Sequence, residues 1–200
     1  MTTDPVSWSE GVWTHAPAAC VTDGTDLVVT ATEGSDAWRV TSYGFVHDDE
    51  HALLAPLPPG RALEVTFTVA LGAQFDQAGL FLRAADEHWV KAGVELADGV
   101  PQLGVVVTDG RSDWSAAPVP QWSGRRVTVR ASRADDAITV RARVDDEPFR
   151  FVRLVPLDPD LPLAAGPYLC APTRAGLVVR FHSWVVTDPD SSLHQPAENR

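Results

Sequence analysis

Two neighbouring segments near the middle of the chain place polar and charged residues at alternating positions. "HWVKAGVEL" carries Lys91 and Glu95 in phase with Trp89, and the preceding "DQAGLFLRA" carries Gln77 and Arg83. Successive side chains of a β-strand point to opposite faces, so these residues share one face and the apolar residues between them share the other. Cations can anchor acceptor oxygens, carboxylates can accept from hydroxyl groups, and aromatic rings can stack. We therefore expect a polar, aromatic-rimmed sheet face that binds a ligand.

The same alternation also fits a solvated outer face, because antiparallel sheets commonly have one wet side. An ordinary wet face is rich in Thr, Lys and Glu. This one instead combines Trp89, Phe81 and Gln77 with a few oppositely charged groups. Gly79 and Gly93 on that face would leave room for a ligand to approach the backbone. The composition therefore favours ligand binding.

Two further segments supply candidate site residues. In "DGRSDWSA" (109–116) we interpret Asp113 and Trp114 as the rim of the sheet face, although a hairpin turn whose tryptophan plugs the end of the sandwich fits equally well. "HDDEH" (47–51) combines two histidines with three acids and could bind a metal, but an exposed acidic turn explains it as well. We expect no metal and no cofactor, and we assign His51 to the binding face or to a structural role.

Catalysis by paired carboxylates has no local signature in this chain. A jelly-roll glucanase typically presents Glu-x-Asp-x-Glu along one strand, so that all three acids reach the cleft. Here Glu95 is followed by Ala97 at the next position on its face, and a glycosidase would need Asp113 or Asp76 from another strand. No phosphate loop, dinucleotide fingerprint or nucleophile elbow is present in the sequence.

The elements that would position these residues are short β-runs separated by turn sequences such as "PLPPG", "ADG" and "DDEP". The connection 84–87 has the length of a tight hairpin. Little helix is expected, and 157–166 is interpreted as a loop or a short helical turn. We predict one all-β sandwich domain over residues 1–187 and a polar, frayed C-terminal tail over 188–200. The predicted strands are 27–32, 37–43, 61–71, 78–85, 88–96, 101–109, 125–133, 137–145, 149–157 and 176–187.

Charge and cysteine content restrict the partners and the compartment. The formal net charge of -11 disfavours nucleic acid and anionic membrane surfaces as partners. The N-terminal residues lack a basic and apolar signal pattern, so we expect a cytoplasmic protein, whose oligomeric state the sequence leaves open. Cys20 and Cys170 are expected to be reduced, although a bridge between terminal strands is geometrically possible.

Four stretches of the chain together resemble the regulation-of-enolase-like family, which has a concanavalin A-like lectin/glucanase fold. The resemblance implies a jelly-roll sandwich of two curved antiparallel sheets and leaves the molecular function unassigned. The matching stretches, in the family's order, are "AWRVTSYGFVHDDEHAL" (37–53), "FDQAGLFLRAADEHWVKAGVEL" (75–96), "LGVVVTDGRSDWS" (103–115) and "GPYLCAPTRAGLVVRFHSW" (166–184).

Three functions remain open at this stage. The first is a module that binds a carbohydrate or another small polar ligand on its concave sheet. The second is a sugar-active hydrolase, lyase or isomerase that uses Glu95 or Asp113, and the third is a protein-interaction domain. The concave face distinguishes them: a shallow aromatic face favours binding, a deep groove with two carboxylates favours an enzyme, and a flat apolar surface favours a protein partner.

Overall fold

The computed structural model describes residues 3–194, which form short strands connected by turns. The one helical segment among these residues is a 3-10 turn at Pro120–Trp122, and no helix there is long and apolar enough to span a membrane. The strands are Thr3–Pro5 (β1), Val12–Trp13 (β2), Ala19–Asp23 (β3), Asp26–Thr30 (β4), Ala37–Arg39 (β5), Val46–Asp48 (β6), His51–Pro56 (β7), Ala62–Thr68 (β8), Gln77–Ala85 (β9), His88–Ala97 (β10), Val100–Asp109 (β11), Arg111–Pro118 (β12), Arg126–Ala134 (β13), Ala137–Val144 (β14), Arg150–Pro156 (β15), Ala164–Cys170 (β16) and Val178–Thr187 (β17).

The strands form the predicted concanavalin A-like sandwich of two curved antiparallel sheets. One sheet has the order β15-β14-β13-β8-β17-β4-β3, with β1 added beside β17, and the other has the order β12-β11-β10-β9-β16-β7-β2. The apolar faces of both sheets meet in one core that includes Phe67, Phe181 and Trp184. Burial of these valine-, leucine- and aromatic-rich faces is the main force that holds the sheets together.

The central hairpin β9–β10 has the two predicted faces, and its connection is shorter than the predicted 84–87. Asp86 and Glu87 form its turn, and a register irregularity follows at His88 and Trp89. Val90 and Val94 are buried in the core, as expected from the alternation. The opposite face, which carries the alternating polar residues, therefore lies on the outside of the seven-stranded sheet and is called the site face below.

A small two-stranded ribbon, β5–β6, packs over the site face. Its tight loop is built by left-handed backbone conformations at Val40 (φ 65°), Ser42 (φ 64°) and Gly44 (φ 76°). The predicted strand 37–43 therefore ends early, at Arg39. Below the ribbon, a second apolar cluster that includes Phe81, Trp89 and Tyr168 covers part of the site face.

One terminal feature differs from the sequence-based expectation. Residues 188–194 do not fray: Asp190 receives hydrogen bonds from Arg130 and Arg141, both at 2.8 Å, on the outer face of the eight-stranded sheet. The rest of the predicted tail, residues 195–200, lies outside the described residues. Cys20 is exposed and Cys170 is buried, and both are free thiols.

Segment 111–118 is a strand, although "DGRSDWSA" (109–116) was interpreted as a rim or a hairpin turn. Its Ser, Asp and Ala residues have low β-propensity, but pairing along β11, from Gln102 opposite Pro118 to Asp109 opposite Arg111, overrides that local preference. Its alternation then sends Asp113 and Trp114 to opposite faces of the sheet.

Candidate functional site

The floor of the site is a closed hydrogen-bonded triangle of one lysine, one aspartate and one glutamine. The Lys91 ammonium donates to Gln77 Oε1 at 2.7 Å and to Asp36 Oδ1 at 3.1 Å, and the Gln77 amide donates to the same Asp36 oxygen at 3.0 Å. Lys91 is only 3% exposed. A buried ammonium is tolerated only when it is paired in this way, so the triangle fixes the position of the charge.

The carboxylates around Lys91 keep it charged. Burial pulls the pKa of Lys91 down, but the negative charges of Asp36 and Glu95 outweigh burial and raise this pKa above its ordinary value. The two donors that Lys91 uses for Asp36 and Gln77 leave one of its three N–H groups without an acceptor among the described residues.

Glu95 is the free carboxyl group of this floor. Among residues 3–194 its side chain has no hydrogen bond and no ion pair, and no Lys91–Glu95 contact within 4.0 Å is formed. Burial raises the pKa of Glu95 to about 7, with the Lys91 charge lowering it and the Asp36 charge raising it. At neutral pH this carboxyl group therefore interconverts between its protonated and ionised forms.

Aromatic side chains form the walls above this floor. A cavity of about 200 Å³ is bounded by Trp38, Tyr43 and Phe45 from the β5–β6 ribbon and by Trp114 from β12. Tyr43 and Phe45 stack with centroids 5.3 Å apart, and Trp38 meets Tyr43 edge-on at 5.7 Å. Trp114 and Tyr43 remain 41% and 61% exposed, so their rings present free surface at the rim.

Glycines shape the floor, but not for the reason expected from the sequence. A Cβ added at Gly79 would lie 2.1 Å from the carbonyl oxygen of Ala92, and one added at Gly93 would lie equally close to that of Ala78. The two glycines are therefore required by the close approach of β9 to β10 and do not serve to expose the backbone to a ligand. Gly93 still lies between Lys91 and Glu95 along β10, and the absence of a side chain there leaves a small recess between them.

Four of the eight predicted site residues converge on this cavity. Gln77, Lys91 and Glu95 form the floor, and Trp114 forms a wall. The strand register brings these four residues together. Glu95 pairs with Gln77 across β9–β10, and Val106 of β11 pairs with Lys91 on one side and with Trp114 on the other.

Arg83 and Trp89 share the site face but lie away from the cavity. Arg83 is paired with exposed Asp86 at 2.6 Å, at the hairpin end of β9. Trp89 is 5% exposed and stacks on Phe81 with centroids 5.3 Å apart, inside the apolar cluster. The sequence places Arg83 on the same face as Glu95, but the register puts it at the other end of β9, so the two do not lie near each other as the shared face suggested.

His51 and Asp113 point away from the site face altogether. His51 Nε2 accepts from the amide of Thr32 at 3.0 Å and its Nδ1 contacts the carbonyl oxygen of His15 at 3.0 Å, so it ties two loops together. Burial lowers the pKa of His51, which favours the neutral ring that this bonding requires. Asp113 pairs with Arg153 of the other sheet at 2.7 Å.

The acidic run "HDDEH" is used in separate structural contacts. Asp48 pairs with Arg39, and Asp49 accepts from the backbone amide of Asp36 at 2.9 Å. Within residues 3–194 no group of three or more His, Cys, Asp or Glu residues could hold a metal ion.

Asp36 and the aromatic residues Phe45 and Phe75 also line the cavity, although the sequence does not indicate them as site residues. Asp36 precedes a short strand and is 55 positions from Lys91 along the chain, so no local pattern connects the two. Trp38 and Tyr43, which also line the cavity, lie in the first stretch that resembles the family, but that stretch gives them no role. The one available signal was the aromatic density of "AWRVTSYGF" (37–45), which is too high for an ordinary surface ribbon.

Residues 13–189 match the family described as "Protein of unknown function (DUF1349)". The chain belongs to this family. It is 33% identical over 187 residues to "Regulation of enolase protein 1" of Saccharomyces cerevisiae, covering 93% of this chain and 94% of that protein. It also superposes with a TM-score of 0.87 on the crystal structure of a functionally unknown protein from Saccharomyces cerevisiae, at 31% identity over 93% of this chain and all of the other. The resemblance inferred from the four stretches is therefore confirmed.

More distant structures share the fold alone. The GH43 protein BlXynB of Bacillus licheniformis aligns with a TM-score of 0.70 and 8% identity over 93% of this chain, which corresponds to 39% of that enzyme. The alginate lyase of Klebsiella pneumoniae aligns with a TM-score of 0.56 and 13% identity over 86% of this chain and 85% of the lyase. At these identities the likeness carries the architecture and not the chemistry.

Proposed function

We propose that this chain binds a small hydroxylated ligand, of about the size of one sugar ring, in the cavity between the β5–β6 ribbon and the site face. The observation that carries the proposal is the combination of aromatic walls with a buried polar floor on which Glu95 has no protein partner. Sites for small molecules are concave and mostly apolar, with a few convergent polar groups that fix orientation. The cavity volume of about 200 Å³ is below the roughly 300–1,000 Å³ of typical pockets, which favours a small ligand.

The polar groups define how such a ligand would be held. The ionised Glu95 carboxylate accepts hydrogen bonds from ligand hydroxyl groups, and the unused N–H of Lys91 donates to a ligand oxygen. The rings of Trp114 and Tyr43 cover the apolar faces of the ligand. The glycosidase and lyase neighbours share only the fold, so the proposal rests on the cavity and not on their substrates.

A second candidate function is acid–base catalysis on the same ligand. It is favoured by one observation, the pKa of about 7 for Glu95, which is suited to proton transfer at neutral pH. Asp36 is already engaged by Lys91 and Gln77, so Glu95 would act as the single acid or base. Turnover of a bound ligand by the wild type and its loss in Glu95→Gln would establish this function.

The binding proposal is tested by a thermal-shift screen followed by calorimetry. Neutral sugars, sugar acids and sugar phosphates are screened against wild type, Glu95→Gln and Trp114→Ala. Asp113→Asn is the matched control, because Asp113 neighbours Trp114 on β12 but faces away from the cavity. We expect ligands that raise the melting temperature of wild type and the control but not of the two cavity variants.

Two outcomes would contradict the proposal. One is a panel without any stabilising ligand, and the other is a ligand whose effect is equal in all four proteins, which would place its site elsewhere.

The cytoplasmic location expected from the sequence stays a prediction, which cell fractionation would check.

A further inference from the structure

The charges around the cavity leave one carboxylate in excess. Asp36 and Lys91 neutralise each other at 3.1 Å. Arg39 of the ribbon forms ion pairs with Asp48 and Glu87 and does not line the cavity. When Glu95 is ionised, Asp36, Glu95 and Lys91 on the cavity floor therefore sum to one negative charge.

The aromatic walls are also free to receive a cation. Arginines of the described residues that lie over aromatic rings contact Phe149, Phe151 and Trp122, and none of these rings lines the cavity. Tyr43 and Phe45 are 61% and 42% exposed, and both line the cavity above an anionic floor. Aromatic faces attract cations through the negative potential of the ring, and this attraction strengthens when the cation is desolvated.

We propose that the ligand of this cavity carries a positively charged nitrogen, as a small hydroxylated amine such as an amino sugar or a quaternary amino alcohol does. This inference rests on the proposed function and specifies its ligand class. The charged nitrogen lies against Glu95 and the ring faces, while the ligand's hydroxyl groups reach the Lys91 end of the floor. A neutral ligand would leave the Glu95 carboxylate without a counter-charge in a half-buried position, which is unfavourable.

Binding of a cation must then displace the proton of Glu95. The titratable groups around Glu95 are Lys91 on its own strand, Asp36 before β5 and Tyr168 on β16. His47 on β6 lines the same cavity, and Cys170 of β16 pairs with Gln77. Burial raises the pKa of Tyr168 and Cys170 well above their ordinary values, so both stay neutral. With a pKa of about 7, Glu95 holds about 0.9 proton at pH 6 and about 0.1 at pH 8. A cationic ligand therefore releases nearly one proton at pH 6 and almost none at pH 8.

The test compares cations with neutral molecules of the same shape. Choline is measured against 3,3-dimethyl-1-butanol, in which carbon replaces the charged nitrogen, and glucosamine against glucose at pH 6.5. Affinities come from titration calorimetry of the full chain, and choline is titrated at pH 6 and pH 8 in buffers of different ionisation enthalpy to count protons. Wild type, Glu95→Gln and the control Asp113→Asn are compared.

We expect at least one cation to bind about 10-fold or more tighter than its neutral counterpart in wild type and Asp113→Asn, and this preference to vanish in Glu95→Gln. Choline binding should release more protons at pH 6 than at pH 8. If glucose binds as well as glucosamine and neither cation is preferred, the cation inference is wrong while the binding function stands. If no cation and no neutral sugar binds at all, both proposals fail.

Discussion

Replacing Lys91 by methionine tests whether the floor triangle holds the site together. Methionine keeps most of the aliphatic volume but removes the ammonium group that binds Asp36 and Gln77. Asp36 would retain the Gln77 amide and its own neighbour's backbone amide, the N–H of Ala37 at 2.7 Å, but would lose its counter-charge. We expect the variant to fold with a lower free energy of unfolding.

The magnitude follows from burial. Removing one partner of a buried ion pair typically costs about 3–5 kcal/mol, since the other charge is left uncompensated. The Lys91 side chain is 4% exposed but that of Asp36 is 18% exposed, so water can partly solvate the remaining carboxylate. We therefore expect the lower end, about 3 kcal/mol, which corresponds to a fall in melting temperature of about 6–12 °C for a chain of this length.

The measurement is denaturant unfolding followed by tryptophan fluorescence and circular dichroism, with Arg83→Met as the matched control. Arg83 is a cation on the same sheet face, but its side chain is 32% exposed and its partner Asp86 is 90% exposed. Exposed pairs contribute about 0–1 kcal/mol, so the control should differ little from wild type. Equal losses in the two variants, or a loss below about 1 kcal/mol for Lys91→Met, would refute the structural role of the triangle.

Two further variants probe the other charged groups. The folded-state pKa of Glu95, about 7, lies above the unfolded value of about 4.3, so this group stabilises the fold below about pH 4.3 and loses that contribution as the pH rises through 7. Glu95→Gln should therefore match wild type near pH 4 and be more stable by about 3–4 kcal/mol at pH 8 in parallel urea titrations; a wild type of equal stability at pH 8 would show that ionised Glu95 is well solvated. Asp190→Ala should cost about 3 kcal/mol in unfolding experiments, because it leaves two buried arginines of the eight-stranded sheet without their shared carboxylate. Unchanged stability of that variant would show that the Asp190 carboxylate contributes no anchoring.

The alternation in β9 and β10 was sufficient to predict the hairpin, its two faces and three residues of the cavity floor. Period-2 patterning is a local property, and each residue's face follows from its position once the strand is recognised. It also placed Gln77, Lys91 and Glu95 on one face. The alternation could not show that Lys91 belongs to the cavity and Arg83 does not, because both are cations on that face. The difference arises from which part of the face another segment covers.

That covering segment is the β5–β6 ribbon, and its placement is a tertiary property. The ribbon supplies Trp38, Tyr43 and Phe45, and the residue before it, Asp36, is the counter-charge that allows Lys91 to be buried. Its loop depends on left-handed backbone at Val40 and Ser42, for which neither residue type gives a warning. Long-range contacts of this kind leave no spacing in the sequence, so Asp36 could not be found from it.

The sequence suggested three functions, and the position of the ribbon favours one of them. Without it, the outside of the seven-stranded sheet would be an open polar surface with Lys91 in water, and an ordinary solvated face would explain it. With it, Asp36 and Gln77 take two of the three lysine donors, while Glu95 is half-buried without a protein partner and faces aromatic rings. Burial in that position raises the pKa of the carboxyl group, and the ionised form lowers the stability of the fold. Such a cost is expected where a ligand completes the interactions that the protein leaves unmade, and this is why the cavity, and not the alternating pattern alone, supports a binding function.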